Sequence, residues 1–148
     1  MERSVSLRRA CRIAGISVTQ PSTWAKAHLI DAHAEGSRFP LERVLRLVLL
    51  AELRTPMRSS AAKMKRAIDA LVPAPDPAQA AECDVVWDVD ALTARWANSP
   101  GHLRVLLTED GHPGPYLVIP MAAKLRRAVT AFGEGDEADE DEDPQVSA

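Results

Sequence analysis

The side chains best suited to chemistry in this chain of 148 residues lie between Gly15 and Ile30, in the stretch GISVTQPSTWAKAHLI. Gln20, Ser22, Thr23 and Lys26 recur at spacings that place them on the outward side of one short helix. Their amide, hydroxyl and ammonium groups suit base edges and phosphates: Gln pairs with adenine, and Ser or Thr bonds either group. Arg38, beside the Glu35-Gly36-Ser37 loop tip, suits a phosphate, and Arg8, Arg9, Arg12 and Arg43 supply further cations. The same residues also fit the solvated face of an ordinary surface helix.

Other reactive patterns are missing from the sequence. Neither H-x-E…C-x-x-C nor H-E-x-x-H occurs, and no glycine loop could cradle a phosphate. His28, His33, His102 and His112 lack ligand spacing, and Asp84, Asp88 and Asp90 alternate with apolar residues as on the solvent face of a strand. Cys11 and Cys83 are lone and far apart, which fits a reduced, cytoplasmic protein better than a disulfide scaffold. The expectation is therefore no enzyme, no metal and no cofactor. The N-terminus is too charged for a signal peptide, and the apolar run from Val44 to Ala51, interrupted by Arg46, is too short to span a bilayer, so no membrane association is expected.

The elements that must hold these side chains can be read in order. Ser4 and Ser6 both suit the cap of a first helix, about Leu7 to Ala14, with Leu7, Ala10, Cys11 and Ala14 on its apolar face and Arg8, Arg9 and Arg12 opposite. Gly15 supplies the tight turn, because it enters the left-handed region without a Cβ penalty. Ser17 or Thr19 can cap the second helix; a cap at Thr19 puts Pro21 in its first turn, and Trp24 and Leu29 point inward. A loop, possible as a short hairpin, leads to Pro40 and a third helix from Leu41 to about Arg54, apolar on more than one side and central to the core. Thr55 and Pro56 suit the start of a fourth helix, whose Met57, Ala61, Met64, Ile68 and Leu71 form a seam of coiled-coil type.

PAPDPAQAAE, residues 73–82, reads as a proline-rich linker between a domain over residues 1–72 and a small α+β unit over residues 83–132. In that unit CDVVWDV suggests a strand, Asp90 the cap of a helix from Ala91 to Ala97 with Leu92 and Trp96 inward, and LRVLL and YLVI two strands joined at the Asp110-Gly111 turn. Pro120 can open a last helix carrying Met121, Leu125, Val129 and Phe132 on one face. About 50 residues are marginal for independent folding, so this unit should pack on the first domain, on a partner or on its own copy. The expected fold class is mainly α, with the α+β unit and a disordered acidic tail over residues 133–148 behind it.

Charge follows the same division. Residues 1–70 hold 13 Lys and Arg against 6 Asp and Glu, residues 71–132 hold 5 against 7, and residues 133–148 hold none against 8. The net charge of −3 thus conceals a basic N-terminal half suited to a polyanion.

With helix, turn, helix, loop and helix in place, residues 5–54 resemble the winged helix-turn-helix DNA-binding domain of MerR-type regulators. LRRACRIAGIS matches that family's first helix and turn, with Cys11 as the small residue four before Gly15. Trp24 and Leu29 stand where the family has an aromatic residue and a leucine, and Gly36-Ser37-Arg38-Phe39 stands where it has its wing, followed by PLERVLRLVLLAEL. Ser22 and Thr23 replace the family's Arg-Tyr pair, His28 replaces the glycine before the leucine, and the wing has one arginine where two are common. No clustered cysteines follow the fourth helix as in the family's metal sensors.

The resemblance implies a sequence-specific binder of double-stranded DNA, most simply a cytoplasmic transcriptional regulator. The second helix would carry Gln20, Ser22, Thr23 and Lys26 into the major groove, while Arg38 and some of Arg8, Arg9, Arg12 and Arg43 would hold the backbone. One short helix reads few bases, so a homo-oligomer is expected, joined through the Met57–Leu71 seam or the C-terminal unit. The alternative is a protein-interaction module, such as an antitoxin, adaptor or anti-activator, whose residues 83–132 bind a protein through exposed strand edges.

Overall fold

The computed structural model describes residues 3–34, 36–57, 61–71, 79, 82–88, 93–108 and 115–134. The N-terminal part runs β1 (Ser4–Val5), α1 (Leu7–Ala14), α2 (Gln20–Lys26), β2 (Phe39–Pro40), α3 (Leu41–Met57) and α4 (Ala61–Ala70). The remainder runs β3 (Asp84–Asp88), β4 (Thr93–Ala97), α5 (Pro100–Thr108), β5 (Tyr116–Ile119) and α6 (Met121–Glu134). The architecture is mainly helical with two small antiparallel sheets.

Local signals set the N-terminal elements. Ser6 caps α1, its Oγ accepting from the Arg9 amide at 3.1 Å. Gly15 closes the helix at φ 72°, where its own N–H reaches the Arg12 carbonyl and the Ile16 N–H reaches that of Cys11. Thr19, not Ser17, stands at the cap position of α2, so Pro21 falls in the first turn; Pro21 and Trp24 are buried. His28 ends α2 at φ 62°, the left-handed conformation a glycine would take without strain. The chain then returns to lay β2 antiparallel against β1, pairing Val5 with Phe39, both fully buried.

The third helix is the centre of the molecule. Val44, Leu47, Leu50 and Leu53 are fully buried, and it packs against α1, α4 and α6. It passes the expected end at Arg54 and runs through Thr55 and Pro56 to Met57, so Thr55 does not cap a new helix. Packing of Leu50 and Leu53 outweighs the one backbone bond that Pro56 removes. Met64, Ile68 and Leu71 of the expected dimer seam are buried in the chain's own core, which corrects their assignment to an interface.

Two elements of the C-terminal unit exchange their expected types. Thr93–Ala97, expected within a helix, is strand β4, paired along its length with β3 from Asp84↔Ala97 to Asp88↔Thr93. Leu103–Leu107, expected as a strand, lies in helix α5, so there is no 103–119 hairpin. Ser99 is the reason: its Oγ accepts from the His102 amide at 3.0 Å and Pro100 takes the first helical position, so Ser-Pro-Gly starts a helix here. β3 lies at the centre of the order β4-β3-β5. One face, with Val85, Trp87, Ala94 and Ile119, joins the main core; the other, with Val86 and Ala97, is covered by Leu106 of α5.

The C-terminal unit packs on the N-terminal part, the first of the three placements open to it. Met121, Leu125, Ala128 and Phe132 of α6 enter the same core as α1 and α3. Asp84 holds the start of α6 by accepting from the Ala122 amide at 2.9 Å, a role in place of the solvent-facing one expected of it. The Trp96 indole donates to the Leu71 carbonyl at 3.0 Å, tying the sheet to the end of α4. The Asp110-Gly111 turn, nearly all of the proline-rich linker and the acidic tail from residue 135 onward lie outside the described residues.

Candidate functional site

The second helix presents the sequence-predicted residues on one side and the core anchor on the other. Ser22, Thr23 and Lys26 are exposed, while Trp24 is buried beneath them. The spacing puts all three on one outward stripe. Gln20 is only half-exposed, and its Oε1 accepts from Arg54 Nη1 at 3.3 Å, which fixes the first residue of α2 to α3. The Ser17 and Thr19 hydroxyls share a hydrogen bond at 3.1 Å in the preceding turn.

Basic side chains brace the segment that follows. Arg46 Nε donates to the Leu29 carbonyl at 2.7 Å and Arg43 Nη2 to that of Asp31 at 3.2 Å. The Arg43 guanidinium lies 4.6 Å from the centre of the Phe39 ring, and His33 meets that ring edge-on at 5.6 Å. Gly36 adopts φ 80° at the loop tip. Arg38 is exposed and bonds across the two-stranded ribbon, Nη2 to the Ser4 carbonyl at 2.8 Å and Nε to Ser4 Oγ at 3.3 Å. It is therefore an exposed cation whose guanidinium is anchored on the ribbon. Beneath Arg43 and Arg46 lies a small cavity of about 190 Å³ that Ile30, Asp31, Phe39 and Leu47 complete.

Arg8 and Arg12 are exposed on α1, one turn apart. Arg9 corrects the expectation. It is buried, and Nη2 donates to the Ala131 carbonyl at 3.2 Å and to the Glu134 carboxylate at 3.3 Å. A cation there answers the unpaired carbonyls at the end of α6, so Arg9 is a structural brace and leaves the exposed basic set. The apolar spacing of α1 concealed this, because α6 covers the side of α1 opposite its apolar face. Arg46 and Arg54 went unread in the sequence, since a basic residue on a long core helix carries no local sign of what it will touch.

Both thiols are buried. Burial pushes the Cys11 pKa up to about 11, and burial with Glu82 and Asp84 nearby raises that of Cys83, whose Sγ donates to the Gln79 carbonyl. Among the described residues no group of three His, Cys, Asp or Glu could hold a metal ion, and no helix is long and apolar enough to cross a membrane. Compared with known proteins, the chain matches no family model, and no curated protein or solved structure shows significant similarity to it.

Proposed function

We propose that residues 5–54 form a winged helix-turn-helix like that of MerR-type regulators, and that the protein is a cytoplasmic, sequence-specific DNA-binding regulator. The observation that carries this reading is the outward stripe of Ser22, Thr23 and Lys26 on a short helix pinned from below by Trp24, together with an exposed Arg38 anchored on the β1–β2 ribbon. A helix with a buried aromatic base and an exposed polar ridge can enter a major groove without rearranging. Arg38, exposed on the ribbon, would then meet the phosphate backbone, and Arg8, Arg12 and Arg43 would add charge around the duplex. Gln20, tied to Arg54, would set the helix's position more than it reads a base.

Two copies would be needed to reach a useful site length. Met64, Ile68 and Leu71 of the expected seam are spent on the core, so the surface proposed for a second copy is the outer edge of β5. That strand pairs with β3 alone among the described strands and exposes Val118. The same edge favours the second reading, in which the C-terminal unit docks a strand of another protein. A sedimentation series over protein concentration separates them: a reversible dimer supports self-pairing, and a constant monomer mass supports the second reading.

The DNA reading is tested by titrating random-sequence duplex with the full chain over a range of salt. Affinity should fall steeply with salt, and Arg38→Gln should reduce the slope by about one unit. An absence of binding at low salt would overturn the proposal.

A further inference from the structure

A second basic surface lies away from the stripe on α2. A groove of about 570 Å³ runs between α1, α3 and α6, and it starts at the Gly15 turn. Arg12, Arg54, Lys124 and Arg127 line it, against Glu52 as the acidic residue bonded to Lys124 at 2.6 Å. Between them the lining carries Ala14, Ala51, Ala128 and Ala131 beside Ile13 and Val48. Arg54 links the groove to the first residue of α2 through its bond to Gln20.

The geometry points to a phosphate-backbone subsite: the groove takes the DNA strand that flanks the segment read by α2, with Arg12, Arg54 and Arg127 on its phosphates. This inference rests on the DNA reading above. Three features favour a phosphodiester chain as the occupant. Guanidinium groups outnumber the acid and can meet phosphate oxygens through paired N–H groups. The four alanines leave room between the cationic side chains for a narrow backbone. Arg54 in its wall is bonded to Gln20 at the start of α2, so a strand lying on that helix would have the groove next to it. The C-terminal unit thereby becomes part of the DNA-binding surface, because α6 supplies Lys124 and Arg127.

The test uses the full chain and a fluorescent random-sequence duplex, with affinity measured across a salt series. Arg127→Gln should lower the salt slope by about one unit. Glu52→Gln should tighten binding severalfold, since it removes the groove's acid and releases Lys124. Arg104→Gln is the control: it removes the same charge from α5, on the other side of the three-stranded sheet, and should leave the slope unchanged. Equal effects of Arg127→Gln and Arg104→Gln would overturn the subsite and show a net-charge effect only. If Lys26→Gln weakens binding while Arg127→Gln and Glu52→Gln both match wild type, the groove fails and the DNA reading stands. If the wild-type protein binds no duplex at low salt, both fall together.

Discussion

The two ends of this chain solve the problem of turning backbone in different ways. The N-terminal part turns on left-handed residues, Gly15, His28 and Gly36, and leaves a short polar helix standing on one buried tryptophan. The C-terminal unit starts its helices with side chains: Asp84 caps α6 and Ser99 caps α5, while a central strand is enclosed by helices on both faces. The first arrangement exposes polar groups on a rigid base, which suits recognition. The second satisfies the first backbone amides of its helices with side chains, which suits a scaffold. Between them lies one continuous core, and Arg9 bridges the two by holding the end of α6 from α1.

If the two regions fold as one, a cavity in the C-terminal helix must loosen the N-terminal part. Leu125→Ala removes a fully buried side chain from α6 and should cost about 2–5 kcal/mol. Urea unfolding followed by Trp24 and Trp87 signals should shift as a single transition; two separate transitions would mean that the regions unfold independently.

The next effect is expected at the bridge. Arg9→Ala should destabilise the chain by about 1–3 kcal/mol, since it leaves the last carbonyls of α6 unanswered. It should not change the salt dependence of DNA binding, in contrast with Arg12→Ala one turn away. An Arg9 variant that keeps its melting temperature but loses DNA affinity would return Arg9 to the exposed set.

The left-handed positions sharpen the contrast further. Gly15→Ala should cost about 1 kcal/mol, because φ 72° strains any Cβ although no atom crowds it. His28→Gly should gain up to about 1 kcal/mol by relieving the same strain at φ 62°. Thermal melts of both variants check the pair, and like signs would show that backbone conformation does not control these turns.

The smallest effect concerns Cys11. With its native pKa raised from 9.0 to about 11, the folded state holds the thiol proton more tightly than the unfolded state. Its contribution is therefore complete below pH 9 and declines as pH rises toward 11. A Cys11→Ala chain should lose less stability than wild type over that window, as measured by urea midpoints.

Local signals explain why one part was easier to read than the other. Gly15, Ser6 and Pro21 act within one turn of where they stand, and their structural roles follow from residue type. Leu41 to Leu53 and Met121 to Phe132 repeat often enough to declare a helix. TARWA and LRVLL are too short for that: five residues with mixed apolar content fit either period, and pairing with β3 decides for one, capping by Ser99 for the other. Of the candidate site, Ser22, Thr23, Lys26 and Arg38 stand exposed as expected, Gln20 is partly engaged, and Arg9 is lost to a contact from a helix more than a hundred residues away. Such a contact leaves no mark near Arg9 in the sequence.

The most direct test of DNA recognition by the N-terminal part is an amide chemical-shift map of the labelled full chain on adding duplex DNA. Shifts concentrated at Ser22, Thr23, Lys26 and Arg38, with the β3–β5 sheet and α5 unmoved, are the expected result. Shifts confined to the sheet and α5, or none at low salt, would contradict it.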